Sequence, residues 1–276
     1  MKKFWMLVLF AVVGGVMLFV AGCSEGSDDT AGTPEQPYIP SAGVFASVDY
    51  SLFLNPDSIF SSSLKLERCP DFDTACFVVG VSGVLIQSLM FWPQVAFALA
   101  LTQDPVYEGD LTWRWTLGSD EGNISLYATV LPDIDSVDWD MRITNDELTD
   151  FQWFYGRCDF HASGGWWIFN DRDSTNSPYP VLRTLWTKNA DDSTGSFTMI
   201  NINETDTEGY GDTITFSREG DICTSTLNLH GGDRPGVWDI TWSQTEHWGS
   251  ITYPEGRTAC WDTLAQCIDC DSLPTE

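Results

Sequence analysis

Thr112-Trp113-Arg114-Trp115-Thr116-Leu117 and Val237-Trp238-Asp239-Ile240-Thr241-Trp242 bracket the stretch that decides the fold. In both, large apolar residues alternate with small or polar ones. A period of two puts one set of side chains on a buried sheet face and the other towards water. Ile124-Ser125-Leu126-Tyr127-Ala128 and Val137-Asp138-Trp139-Asp140-Met141-Arg142-Ile143 repeat the pattern between them. Turn-forming runs separate the segments, among them Asp120-Glu121-Gly122-Asn123, Arg218-Glu219-Gly220-Asp221 and Gly231-Gly232-Asp233. Such punctuation reads as hairpins linking antiparallel strands.

Strands are expected near 110–118, 123–131, 136–144, 151–158, 164–170, 180–188, 194–202, 211–218, 221–229, 235–243 and 247–253. No helical interval lies between them, which excludes parallel βαβ units. The reading predicts a mainly β protein, an up-and-down meander that curls into a barrel or half-barrel to protect its edges. Trp113, Trp115, Trp139, Trp153 and Trp186 are expected to face inward, where they either fill the core or line a cavity for a small apolar or amphipathic ligand. Trp166 and Trp167 are the candidates for an exposed aromatic patch.

Working outward, residues 75–101 precede the sheet without one Asp, Glu, Lys or Arg. Length alone makes this a membrane-span candidate. Against that stand Pro93, the polar Ser82, Gln87, Ser88 and Gln94, and Lys65 and Arg68 on the wrong flank for an exported chain. The expectation is a helix–Pro–helix block over 75–102 that packs inside the curled sheet or caps it. Further upstream, 44–66 opens strand-like (Phe45 to Phe53) and continues Ser-rich.

At the start, Lys2 and Lys3 precede the apolar run from Phe4 to Val20, the form of an export signal. The run closes on Val20-Ala21-Gly22-Cys23, which resembles the bacterial lipobox; the resemblance implies diacylation of Cys23 as the mature N-terminus. Acyl chains contribute roughly 0.8 kcal/mol per buried methylene, so several hold firmly. Residue Ser24, in place of an Asp, favours the outer membrane by the sorting rule the same resemblance implies. The organisation expected is a signal peptide over 1–22, a lipidated Cys and disordered tether over 23–42, and a single β-rich domain over 43–276, ending in a Cys-rich tail from 258.

The chain has 276 residues, with 40 acidic against 13 basic side chains and a formal charge of −27. That acidity excludes nucleic acid as a natural partner, because phosphate backbones are repelled. Seven cysteines lie beyond Cys23; oxidising surroundings predict disulfides with one thiol left over. Cys69 and Cys76 flank a short acidic loop and suit a local bridge, while Cys260 with Cys267 or Cys270 suits a terminal staple. Cys158 and Cys223 either pair across strands or stay in the core.

Chemistry-bearing motifs are sparse. Cys267-x-x-Cys270 is half a zinc knuckle without its second half, and Cys158-Asp159-Phe160-His161 offers ligands of ordinary turn spacing, so no metal is assigned. His230 and His247 sit at turn edges, and no Gly-x-Ser-x-Gly elbow is present. The acid pairs Asp138/Asp140, Asp133/Asp135 and Asp171/Asp173 are what 40 acids produce without selection for a glycosidase. Asn170 to Asn176 is rich in hard oxygens but lacks the Gly and distal Glu of an EF-hand loop. No catalytic residue and no cofactor are expected.

The lipobox, the Ala/Val/Leu-rich block around Pro93, the Trp113/Trp115 strand, the late Trp238/Trp242 strand and the closing Cys260-Trp261-Asp262 … Asp269-Cys270 together resemble a group of uncharacterised bacterial lipoproteins. The likeness implies an envelope address and a β fold and carries no activity. Three functions compete: a non-enzymatic lipoprotein holding a small apolar or amphipathic ligand in a Trp-rich barrel, a structural or interaction lipoprotein with a packed core and an undetermined protein partner, and a glycan hydrolase.

Overall fold

The structure is a computed structural model that describes residues 51–54, 68–119, 122–189 and 194–273, all within one compact unit, Glu35–Glu276. The expectations for the signal segment, the tether and Cys23 lie outside the described residues. A short helix α1 (Ser51–Leu54) falls where a strand was expected to end. Its Leu52 and Phe53 are buried, and Phe53 meets the Trp242 ring edge-on at 4.8 Å.

The sheet then runs in strict chain order. Its strands are β1 (Val106–Gly109), β2 (Thr112–Ser119), β3 (Gly122–Leu131), β4 (Ser136–Thr144), β5 (Phe151–Asp159), β6 (Gly164–Arg172) and β7 (Pro178–Lys188). After these come β8 (Thr194–Asn201), β9 (Thr213–Glu219), β10 (Ile222–Leu229), β11 (Gly236–Ser243), β12 (Gly249–Thr252), β13 (Thr258–Trp261) and β14 (Cys267–Ile268). Every neighbouring pair is antiparallel, and the 14-stranded order β1 to β14 is an up-and-down meander that stays open. All eleven expected strands are present. Three short ones extend the sheet at its ends, and the Cys-rich tail supplies β13 and β14.

The alternation sorts the two faces. On the inner face Trp113, Ala128, Trp139, Gly156, Trp167 and Thr184 lie opposite one another from β2 to β7. Trp242, Gly249 and Trp261 do the same from β11 to β13. Large and absent side chains thus alternate across the strands, which lets indoles lie over neighbouring glycines. The outer face is hydroxylic and charged, with cross-strand contacts such as Thr112–Thr129 at 2.9 Å, Thr198–Thr215 at 3.1 Å and the bidentate pair of Arg157 with Asp138.

Helix α2 (Pro70–Ala100) covers the inner face as one 31-residue element. Pro70 occupies the first turn, where its missing N–H is harmless, and Asp71 and Asp73 face the positive end of the helix dipole. The expected break at Pro93 does not occur. An interior proline costs about 3 kcal/mol. Burial of Ile86, Met90 and Phe97 against the sheet, at about 1.5–3 kcal/mol each, exceeds that cost. The helix packs on β2 and β3 and also on β12, β13 and β14, so both ends of the curled sheet close on it.

The cysteine pairing differs from the local bridge expected. Cys69 joins Cys267, 198 residues away, and Cys260 joins Cys270. Because the helix begins at residue 70, Cys69 and Cys76 are separated by about two helical turns, roughly 10 Å, which is beyond disulfide reach. Cys76, Cys158 and Cys223 keep their thiols, three where one was expected. Cys158 and Cys223 stand on β5 and β10 and are not joined to each other.

Candidate functional site

The indoles singled out from the sequence were placed as follows. Trp113, Trp115, Trp139 and Trp186 are buried, and Trp153 is half-buried at a bulge in β5. They belong to one continuous core with the helix. The Phe97 ring meets Trp139 at 5.0 Å and Trp167 at 5.8 Å, and Trp115 lies 6.4 Å from Trp139. The Trp139 indole N–H donates to Cys158 Sγ at 3.2 Å. Burial pushes the Cys158 thiol up to about 11, so it stays protonated and unreactive at neutral pH. These aromatics fill the space beneath the helix. Trp166 and Trp167 do not act as a pair: Trp167 is buried under Phe97, and half-buried Trp166 lies on the outer face, edge-on to Tyr155 at 6.0 Å.

Within this interior Thr184 Oγ1, Ser225 Oγ and Trp186 Nε1 are buried with no hydrogen-bond partner among the described residues. Thr184 sits between Trp167 and Met199 on the strands either side, and Ser225 between Phe216 and Ile240. Of these the sequence reading singled out Trp186 alone as inward; alternation has no means of showing that a polar group on a buried face will lack a partner.

Several of the acidic and histidine candidates are engaged in local ion pairs and turns. Asp138 is clamped by Arg157, and Asp140 accepts from Arg142 at 2.9 Å and Gln152 at 3.1 Å. In the oxygen-rich loop, Asp173 Oδ1 is taken up by Thr175 and Ser177, while the Arg172 guanidinium reaches Glu147 at 2.9 Å. His161 is exposed and Cys158 is buried beneath Trp139, so the two do not converge. His230 pairs with Asp212 at 3.2 Å. Among the described residues one group of potential metal ligands gathers, Cys69, Asp71 and Cys267, and its two sulfurs are joined to each other.

Four carboxyls are held below their ordinary range, each as a clamp. The Arg257 guanidinium, against the opposing pull of burial and with help from the Tyr253 hydroxyl, lowers Asp71. Burial acts upward on Asp159 and on Asp221, but hydrogen bonds from Ser163, His161 and Gly164 overcome it at the first, and those from Ser243 and Thr245 at the second. Asp173 is lowered by the Thr175 hydroxyl and the backbone of Ser177 and Thr175. A general acid for glycoside cleavage needs the opposite shift.

Two surface depressions lie outside the aromatic interior. One is lined by Arg234, Pro235, Tyr253, Pro254, Glu255 and Arg257. The other runs along the tail from Thr258 to Cys270 beside Asp71. Both adjoin a polar clamp at the start of α2, where Tyr253 Oη donates to Asp71 at 2.6 Å, Arg257 donates to it at 2.9 Å and Arg257 stacks on the Tyr253 ring at 4.0 Å.

Among the described residues, exposed large apolar side chains gather on the outer side of α2. Phe77 is 71% exposed, Val81 and Val84 52%, Leu85 45%, Phe91 53% and Leu99 41%. A spacing of three and four residues puts them on one side of the helix, with Phe72, Ala75, Val79, Ile86, Met90 and Phe97 buried on the other. The charge-free stretch was legible in the sequence; the uncovered side was not, because an all-round apolar helix has no polar face to mark it. This is the one helix among the described residues long and apolar enough to cross a membrane. Comparison of the chain with protein-family models, with curated proteins and with solved structures finds no match.

Proposed function

We propose that the chain is a lipid-anchored envelope protein whose sheet domain is non-enzymatic and acts through surface contact. The observation that carries this reading is the distribution of apolar surface: the aromatic face of the sheet is filled by the helix, and a row of exposed apolar side chains, interrupted by Gln87 and Ser88, points outward. The anchor rests on the Cys23 motif and the apolar run before it, a segment compatible with a signal or an anchor. Membrane attachment through acyl chains at Cys23, on the outer membrane of a bacterial envelope, follows from that motif. The test is metabolic labelling with a radioactive fatty acid. The wild-type chain takes up label and Cys23→Ala does not; equal labelling of both would sink the anchor.

A second reading is favoured by the unpartnered Thr184, Ser225 and Trp186 groups. It is a small amphipathic ligand held within the curled sheet, with Trp113, Trp115, Trp139, Trp153 and Trp186 around it. Native mass spectrometry of the chain from Ser24, purified gently from an envelope extract, separates the two readings. A bare polypeptide supports the contact reading, and an extractable lipid mass supports the second.

A further inference from the structure

We infer that the outward stripe of α2 is a bilayer-docking surface, on which the helix lies in the membrane plane with Phe77, Val81, Val84, Leu85 and Phe91 among the acyl chains. From Phe77 to Leu99 the stripe runs about 33 Å at 1.5 Å per residue. Exposed apolar surface on this scale, broken here only by the uncharged Gln87 and Ser88, marks an interaction site on soluble proteins. The helix cannot span a bilayer while folded, because its other side is packed on the sheet. In-plane docking needs one apolar side only, the side left open. From residue 75 to 101 no charged side chain would have to be desolvated. Half-buried Trp92, 5.0 Å from Phe91, suits the boundary between headgroups and chains.

Two features select lipid over a second copy of the chain. The first is charge: two molecules of formal charge −27 repel as their helices approach, whereas a zwitterionic bilayer carries no net charge. The second is chain connectivity. Residues 23–50 lead from the proposed acyl anchor to α1, whose Leu52 and Phe53 are buried in the same core as α2; that is at most about 100 Å at full extension, so the helix is held near the bilayer at raised effective concentration. Only this second point rests on the anchored reading. The stripe therefore predicts an attachment opposite in character to basic membrane-binding helices: it favours neutral lipid and is not weakened by salt.

The test is flotation of the chain from Ser24, which keeps the whole compact unit but has no acyl chains. Vesicles of phosphatidylcholine and of phosphatidylcholine mixed with phosphatidylglycerol are compared at low and high salt. Binding is expected to the neutral vesicles at either salt concentration and, on the anionic ones, to strengthen as salt screens repulsion. Phe77→Asp with Phe91→Asp should weaken it on the order of a hundredfold. Should that variant fail to melt cooperatively, Val81→Ser with Val84→Ser provides the same readout at lower structural risk. No flotation of the wild type, or equal flotation of the folded variants, overturns the inference. So does a lipid-free dimer in sedimentation that the variants dissolve, which would assign the stripe to a second copy. Loss of fatty-acid labelling with flotation intact removes the anchor alone; intact labelling without flotation removes the docking surface alone.

Discussion

Gly156 faces Trp139 on one neighbouring strand and Trp167 on the other, and a methyl group placed there would come within 2.5 Å of the Trp167 ring and closer still to the Trp166 carbonyl. Gly249, between Trp242 and Trp261, is equally crowded by the Trp261 ring and the Thr241 carbonyl. Backbone oxygens cannot rotate aside, so Gly156→Ala and Gly249→Ala should each destabilise the fold by about 1–3 kcal/mol in urea unfolding. Gly122→Ala, whose nearest contact lies at 3.7 Å, should stay within about 0.5 kcal/mol. The Thr184 and Ser225 hydroxyls raise the complementary question of what satisfies them. A buried hydroxyl without a partner loses nothing on removal, so Thr184→Val and Ser225→Ala should be neutral or stabilising by up to about 1 kcal/mol. Clear destabilisation would mean that a bound polar group meets these hydroxyls, and would move the balance towards the internal-ligand reading.

At the scale of elements, the start of α2 is tied to the far end of the chain three times over. Cys69 is bonded to Cys267, its N–H donates to Ala265 at 2.9 Å, and Asp71 takes hydrogen bonds from Tyr253 and Arg257. The covalent tie closes a span of 198 residues, so Cys267→Ser should cost about 2–5 kcal/mol. The ionic tie titrates. Because Asp71 is lowered in the folded state, it contributes stability above the unfolded carboxyl value of about 3.9 and loses it as pH falls through the lowered folded value. The stability gap between wild type and Asp71→Asn should therefore be constant from about pH 5 to 8 and close below about pH 4; a gap that widens on acidification would refute the assignment. These ties also show where sequence reading stops. Period-two alternation made all eleven central strands legible, since each buries one face. The edge strands β1 and β14 are too short to show a period, and β13 is legible only through its partner β12. Pro93 read as a break because the packing that overrides it comes from strands far along the chain. The Cys69–Cys267 bridge is invisible for the same reason: nothing local distinguishes Cys267 from Cys270.

For the molecule as a whole, the candidate site was half legible. The charge-free stretch from 75 to 101 announced an unusual helix, but which side the sheet would cover depends on how the two ends of a 14-stranded meander come round to meet it. The sheet leaves its ends unjoined, yet gives little template for edge pairing: β1 is a four-residue strand with a bulge, and β14 is a two-residue strand fixed by both disulfides at its margins. The remaining outer surface is strongly acidic. Its ion pairs, such as Arg157–Asp138 and Arg142–Asp150, involve side chains substantially open to water and are worth no more than about 1 kcal/mol each. Against them stands the mutual repulsion of 40 acidic side chains with 13 basic ones to balance them. Repulsion spread over the surface acts across distances comparable to the Debye length, about 10 Å at 0.1 M salt, whereas close ion pairs are screened less. The folded state concentrates this charge more than the unfolded chain does, so screening should favour folding. Thermal unfolding of the chain from Ser24 should then show a melting temperature that rises as sodium chloride is added from a low-salt buffer and levels off once the Debye length falls below the spacing of the surface acids. A melting temperature that falls with salt would mean that the arginine pairs, few as they are, outweigh the repulsion. In that case the outer face of the sheet would owe its stability to those local clamps, and Arg157→Gln would reproduce the effect of salt.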